Sequence, residues 1–194
     1  MPKKETYLPQ LLVLRIKMAD IRPMISRNIL VRNTLSFDKL HLIIQIAMGW
    51  ENYHLYQFMK GDIMIDNEAD EAMMFSRFKR MPSRTTPIAA FLNAPKDKIK
   101  YEYDFGDSWL HEISVSKVLP DDPEIKNPVC QKASRACPPE DCGGVGGYYE
   151  IMEMLNGEDI VEEEDNLREW LGEDYDPEFV DIEDINKLLK KIKM

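Results

Sequence analysis

Tyr101-Glu102-Tyr103-Asp104-Phe105-Gly106-Asp107-Ser108-Trp109-Leu110-His111-Glu112-Ile113 reads as a β-hairpin. Aromatic residues alternate with acids before Gly106-Asp107, and an apolar/polar alternation resumes after it. This is the period-two pattern of two half-buried antiparallel strands. A two-residue type II′ turn with glycine first would set Asp104 opposite Trp109, Tyr103 opposite Leu110 and Glu102 opposite His111. Opposed residues share a face, so one face is expected to carry Glu102, Asp104, Trp109, His111 and Ile113. The other would carry Tyr101, Tyr103, Phe105, Leu110 and Glu112. A longer turn would flip Trp109 and His111 to the opposite face.

The expected face has chemical consequences. A carboxylate across from an imidazole raises the pKa of the ring, and Asp104 lies within diagonal reach of the same histidine. Such a set can hold a general base or a divalent metal. It equally describes a buried, charge-satisfied His111 with Asp104 and Asp107 bonding the turn amides.

Upstream, Leu11 to Met18 begins as a continuous apolar run and then alternates, as an inner strand with a solvated end would. Ile21-Arg22-Pro23 turns the chain, and Ile25 to Val31 resembles its hairpin partner. Ser36 offers an N-cap to a helix from Phe37 to Met48, which Gly49 closes. His54 to Met59, Gly61-Asp62 and Ile63 to Ile65 read as a second hairpin, so the start spells β-β-α-β-β. An α+β fold follows, a mixed or antiparallel sheet of hairpins with helices packed on it. Residues 66–84 read as an irregular connection, and a short helix is expected from Thr85 through Leu92.

Downstream, Pro120 to Gly147 carries five prolines and four glycines and is expected to lack regular structure. Helices are expected from Tyr148 to Leu155, over 161–171, and from Asp184 to Ile192, where the lysines suit the C-terminal end. The whole of 1–194 is expected to form one domain, with a core over 7–155 and a helical acidic part over 156–194.

Cys130, Cys137 and Cys142 are spaced by six and four residues, unlike the two-residue knuckles of zinc ribbons. Three thiols with His111 would still make a Cys₃His set, so zinc or a similar divalent ion is the one cofactor to test for. The glycines after Cys142 precede a helix, but no Gly-Lys-Ser/Thr follows and Glu140 and Asp141 would repel an anion. A tight turn explains them better than a nucleotide cradle. His41 and His54 flank Trp50 and are expected to pack or cap, unless the fold brings His54 to His111 and Asp104.

The net charge of −10 hides an asymmetry, +6 over residues 1–100 and −16 over residues 101–194. The acidic half disfavours sequence-independent nucleic-acid binding and suits a basic protein partner. Arg15, Lys17, Arg22, Arg27 and Arg32 form a local basic group on the first two strands, where charges also discourage edge pairing. No apolar run is long enough to span a bilayer and the N-terminus lacks a signal-peptide core, so a cytoplasmic protein is expected.

Tyr103 to His111, Cys137-Pro138-Pro139-Glu140-Asp141-Cys142-Gly143-Gly144 and Gly147-Tyr148 resemble the plasmid pRiA4b ORF-3-like domain family. So do Leu40-His41, Ile44-Gln45, Gly49-Trp50, His54-Leu55, Asp176 to Phe179, and Asn186. The resemblance implies a protein of mobile elements and brings no established catalytic residue. Where the family has Pro-Ile-Trp-Arg-Arg, this chain has Ile21 to Arg27 without the tryptophan, which weakens a nucleic-acid contact at that corner.

The leading expectation is a non-enzymatic binding or interaction module. The alternative is a metal-dependent hydrolase or nuclease using Asp104, Asp107, His111, Glu140 and Asp141, its ion activating water and the arginines receiving phosphate. What separates them is whether the 120–147 segment folds back over the hairpin.

Overall fold

The computed structural model of the chain describes residues 7–67, 78–156, 169–172 and 175–194. Eight strands form one sheet: β1 (Gln10–Met18), β2 (Ser26–Arg32), β3 (Tyr56–Lys60), β4 (Ile63–Asp66), β5 (Lys79–Pro82), β6 (Lys98–Tyr103), β7 (Trp109–Pro120) and β8 (Val129–Ser134). Their order is β5-β4-β3-β6-β7-β1-β2-β8. All neighbours are antiparallel except the parallel pair β4–β5, so the sheet is mixed and the fold is α+β, as expected.

The apolar run of β1 has a direct explanation. Leu12, Leu14, Ile16 and Met18 face the main core, while Leu11 and Val13 bury with Leu30 on the other face beneath Ile125 and Met194. A strand covered on both faces has no polar alternation to show. The pairing with β7 shifts between Val13 and Leu14, where Ser116 donates its hydroxyl to the Val13 carbonyl at 2.8 Å.

Helix α1 (Phe37–Met48) lies over the sheet. Its N-cap Ser36 accepts from Lys39 N, and Gly49 ends it at φ 89°, where a Cβ would be penalised. Phe37, Leu40, Ile43, Ile44 and Ala47 enter the core. α2 (Gly144–Asn156) adds Tyr148, and α3 (Ile182–Leu189), capped by Asp181, adds Ile185 and Leu189 and packs against α1 and β8.

Four expectations change. The segment 120–147 is not without regular structure: β8 forms within it and extends the sheet on β2, its apolar signal hidden by exposed Val129, Gln131 and Lys132 at an edge. Part of the 66–84 connection is the edge strand β5, and residues 68–77 lie outside the described residues. The helix of 85–92 shrinks to a 3-10 turn, Ile88–Ala90, because Thr86 closes a turn on Pro82 and Pro87 remains extended to bridge Ser36. Of the helix expected over 161–171, only 169–171 are described, and these are helical.

The hairpin register is the fourth correction. β6 and β7 pair Tyr103 with Trp109, Glu102 with Leu110 and Tyr101 with His111, leaving 104–108 as the tip. The tip is longer than two residues because Asp104 and Ser108 both adopt positive φ, 54° each, and the Ser108 amide closes back on the Asp104 carbonyl. Tyr101, Tyr103, Trp109, His111 and Ile113 therefore share the buried face. Glu102 turns to the other face, away from His111, and bonds Gln57 and Ser108.

Candidate functional site

The chain on either side of Cys142 folds back on the hairpin tip. Asp104 builds the tip: its amide donates to Leu55 O at 3.0 Å, and its Oδ1 accepts from Gly106 N at 2.9 Å as an Asx turn. Asp107 holds the incoming segment, its Oδ2 accepting from Gly143 N at 3.2 Å. Gly144 packs so closely that a Cβ there would lie 2.6 Å from the Asp107 carbonyl oxygen. A glycine is required at that approach, which gives the glycine run its purpose.

Glu140 locks the same segment from the other side. Its carboxylate accepts from the Tyr103 hydroxyl and from Glu51 N at 2.9 Å. Burial and the Glu140 bond both hold the Tyr103 hydroxyl well above its ordinary pKa. The Trp50 indole donates to Pro138 O at 2.9 Å, so one turn after α1 is stitched to 138–140.

His54 meets the junction. Expected at the head of a strand, it instead sits in the loop facing the tip, because β3 begins only at Tyr56. Its Nδ1 lies 3.7 Å from Asp104 Oδ1 and its Nε2 lies 3.2 Å from Asp141 Oδ1. Neither contact has hydrogen-bond geometry, and Nε2, shielded from solvent, has no hydrogen-bond partner. Asp104 is buried, whereas the Asp141 side chain is 70 % exposed. Among the described residues, His54, Asp104 and Asp141 are the one group of three His, Cys, Asp or Glu whose donor atoms converge, all within 4.8 Å of one another.

His111 is elsewhere. It is fully buried on the core face, edge-on to Trp50, with Nδ1 2.9 Å from the Trp109 carbonyl. The neutral ring donates from Nδ1, and burial lowers its pKa from 6.5 to about 4. Its Nε2 and the nearby Trp109 Nε1 are buried without hydrogen-bond partners. His41 is also a core residue, stacked on Tyr56 at 3.6 Å and bonded to Tyr101 and Asn52, its pKa lowered to about 4 by burial.

The cysteines do not assemble with His111. Cys130 is in the edge strand β8, Cys137 touches Met48 and Arg27, and Cys142 bends toward Gly144. Burial raises all three thiols, Cys137 to about 11 and Cys142 to about 12, the latter helped by Asp107 and Asp141. They are protonated thiols at neutral pH.

Beside the junction runs a cleft of about 560 Å³ between the end of α1, 136–140 and the C-terminal segment. Trp50 and buried Arg27 lie at its floor, and Phe179 and Leu188 supply exposed apolar surface. Glu51, Glu140, Asp181 and Asp184 line it with negative charge. Arg27 keeps its positive charge at this floor, but its donors are taken up by Ala47 O, Ser26 O and Ser134 O.

Comparisons with known proteins agree over nearly the whole chain. The family model described as plasmid pRiA4b ORF-3-like protein matches residues 10–184. An uncharacterised protein, y4hQ of Sinorhizobium fredii, is 32% identical over 178 residues, covering 90% of this chain and 88% of its own. The crystal structure of a protein of unknown function, MM3350 from Methanosarcina mazei Go1, is similar with a TM-score of 0.80 and 32% identity. That match covers 92% of this chain and 98% of the other.

Proposed function

The chain belongs to the plasmid pRiA4b ORF-3-like protein family, and we propose that it acts as a non-enzymatic binding module whose cleft takes a basic segment of a partner protein. The observation that carries this reading is the acid-lined cleft, with exposed Phe179 and Leu188 beside Glu51, Glu140, Asp181 and Asp184. An apolar anchor between cationic side chains fits such a lining, because charge complementarity adds on-rate and register while the apolar contact adds affinity. The net charge of −10 steers a basic partner toward it.

The hydrolase alternative receives less support. Glu140 and Asp107 are engaged in holding the loop, His111 is enclosed in the core, and two of the arginines proposed to receive phosphate, Arg27 and Arg32, are committed, while Arg15 and Arg22 are exposed. Arg27 is buried among carbonyls and Arg32 pairs with Asp121 at 2.7 Å. The family description names a plasmid reading frame, which supports a setting on mobile elements. No helix among the described residues is long and apolar enough to cross a membrane.

The test is a titration of the full chain, followed by tryptophan fluorescence, with a synthetic peptide carrying lysines and arginines around one leucine. Saturable binding that weakens with salt, and weakens further in an E51K/D184K variant, is expected. A peptide that fails to saturate, or binds the variant equally well, contradicts the reading.

A further inference from the structure

We infer that His54, Asp104 and Asp141 form a divalent transition-metal site that clamps the Cys142 segment to the hairpin tip. The inference concerns the junction itself and does not rest on what the neighbouring cleft binds. Three observations on independent elements converge on it. His54 comes from the loop before β3, Asp104 from the hairpin tip and Asp141 from the folded-back segment, and their donor atoms lie within 4.8 Å of one another. Nε2 of His54 is shielded from solvent and bonded to nothing, although a carboxylate oxygen stands 3.2 Å away. Among the described residues no lysine or arginine ion pair reaches Asp104 or Asp141 to balance their charge.

The donor set fits zinc, manganese or ferrous iron better than magnesium or calcium, which take oxygen ligands almost alone. One neutral imidazole and two carboxylates leave a site of charge −2, which the dication neutralises. Ligand bonds of about 2.0–2.2 Å put the donors of one ion at most roughly 4.4 Å apart, so the present spacing must close slightly. The side chain positioned to close it is Asp141, which is 70 % exposed and free to rotate, while Asp104 is fixed by its bond to Gly106.

A single ion takes one nitrogen of the His54 ring, which stands between Asp104 and Asp141, and Asp141 completes the site by rotating. Three protein ligands leave coordination positions for water, as in open sites. The predicted effect is mechanical: the ion joins three segments that are otherwise held by Asp107, Glu140 and the glycine contacts.

The experiment uses the full chain without an affinity tag, stripped with EDTA and titrated separately with manganese and zinc by calorimetry, with thermal unfolding followed in parallel. The expected result is one ion per chain and a raised unfolding temperature. D141N and H54Q should each weaken binding about 100-fold or more and lose the metal-dependent rise in unfolding temperature. C142S, which removes the nearest thiol, should bind as the wild type does. The inference is overturned if the wild type takes up neither ion, if D141N and H54Q bind unchanged, or if C142S abolishes binding.

Discussion

Tyr103 and Glu140 stand 37 residues apart in sequence and share a hydrogen bond that joins the last residue of β6 to the segment folded over the hairpin tip. The same tyrosine oxygen accepts from Tyr53 N at 3.1 Å. One hydroxyl thus fixes three pieces of chain: the strand that carries it, the loop after α1 and the cleft wall.

Removing that hydroxyl should loosen the wall without emptying the core. Tyr103→Phe leaves the Glu140 carboxylate short of a donor, a loss of about 1–3 kcal/mol. Urea unfolding should show a lower midpoint with an unchanged slope, and a midpoint equal to the wild type would mean the bond contributes nothing.

The glycines after Cys142 should differ sharply in tolerance. A Cβ at Gly147 would fall 1.7 Å from the Cys142 carbonyl oxygen, and at Gly144 2.6 Å from that of Asp107, with φ at 69°. Both Gly→Ala changes should destabilise by more than about 1 kcal/mol. Gly146 meets nothing within 4 Å and lies in α2, so Gly146→Ala should stabilise by roughly 0.5–1 kcal/mol. Thermal unfolding of the three variants checks the order.

Stability should fall on mild acidification. His41 and His111 have folded pKa values lowered by burial from 6.5 to about 4, so between these values the unfolded chain binds more protons than the folded one. Their neutral rings cost nothing above pH ~6.5, and stability is lost as pH drops below it, by up to about 1.4 kcal/mol per pH unit for each ring. Denaturant unfolding at pH 7.5, 6 and 5 measures the slope. A His41→Gln variant should show a shallower one, and an equally steep slope would contradict the assignment.

Asn186 should matter out of proportion to its exposure. Its amide accepts from Cys130 N at 2.8 Å and donates to Cys130 O at 3.0 Å, pairing with the edge strand β8 as a neighbouring strand would. Asn186→Ala removes both bonds and uncovers the edge. We expect a loss of about 1–3 kcal/mol and concentration-dependent association in light scattering.

Much of this was legible in the sequence because local rules governed it. Ser36 and Gly49 bound α1 as capping chemistry dictates, and the alternation around Gly106 announced a hairpin. The turn length was not legible, because it depends on Asp104 and Ser108 adopting positive φ against the docked Leu55 and Asp107–Gly143 contacts. The longer turn then set Trp109, His111 and Ile113 on the face of Tyr101 and Tyr103, placing His111 in the core and Glu102 outside. β8 was hidden because an edge strand with exposed polar residues lacks an apolar run. The role of His54 hung on the tertiary fold, because Asp104 and Asp141 lie on distant segments that only folding brings to it; Asp104 was a foreseen partner, Asp141 was not.

The most direct measurement of the binding proposal is amide chemical-shift mapping of the labelled full chain during titration with the basic, leucine-containing peptide. Shifts concentrated at 48–51, 137–140 and 179–188, fading with added salt, are the predicted result. Shifts centred instead on Arg15, Lys17 and Arg22, or no shifts at all, would contradict it.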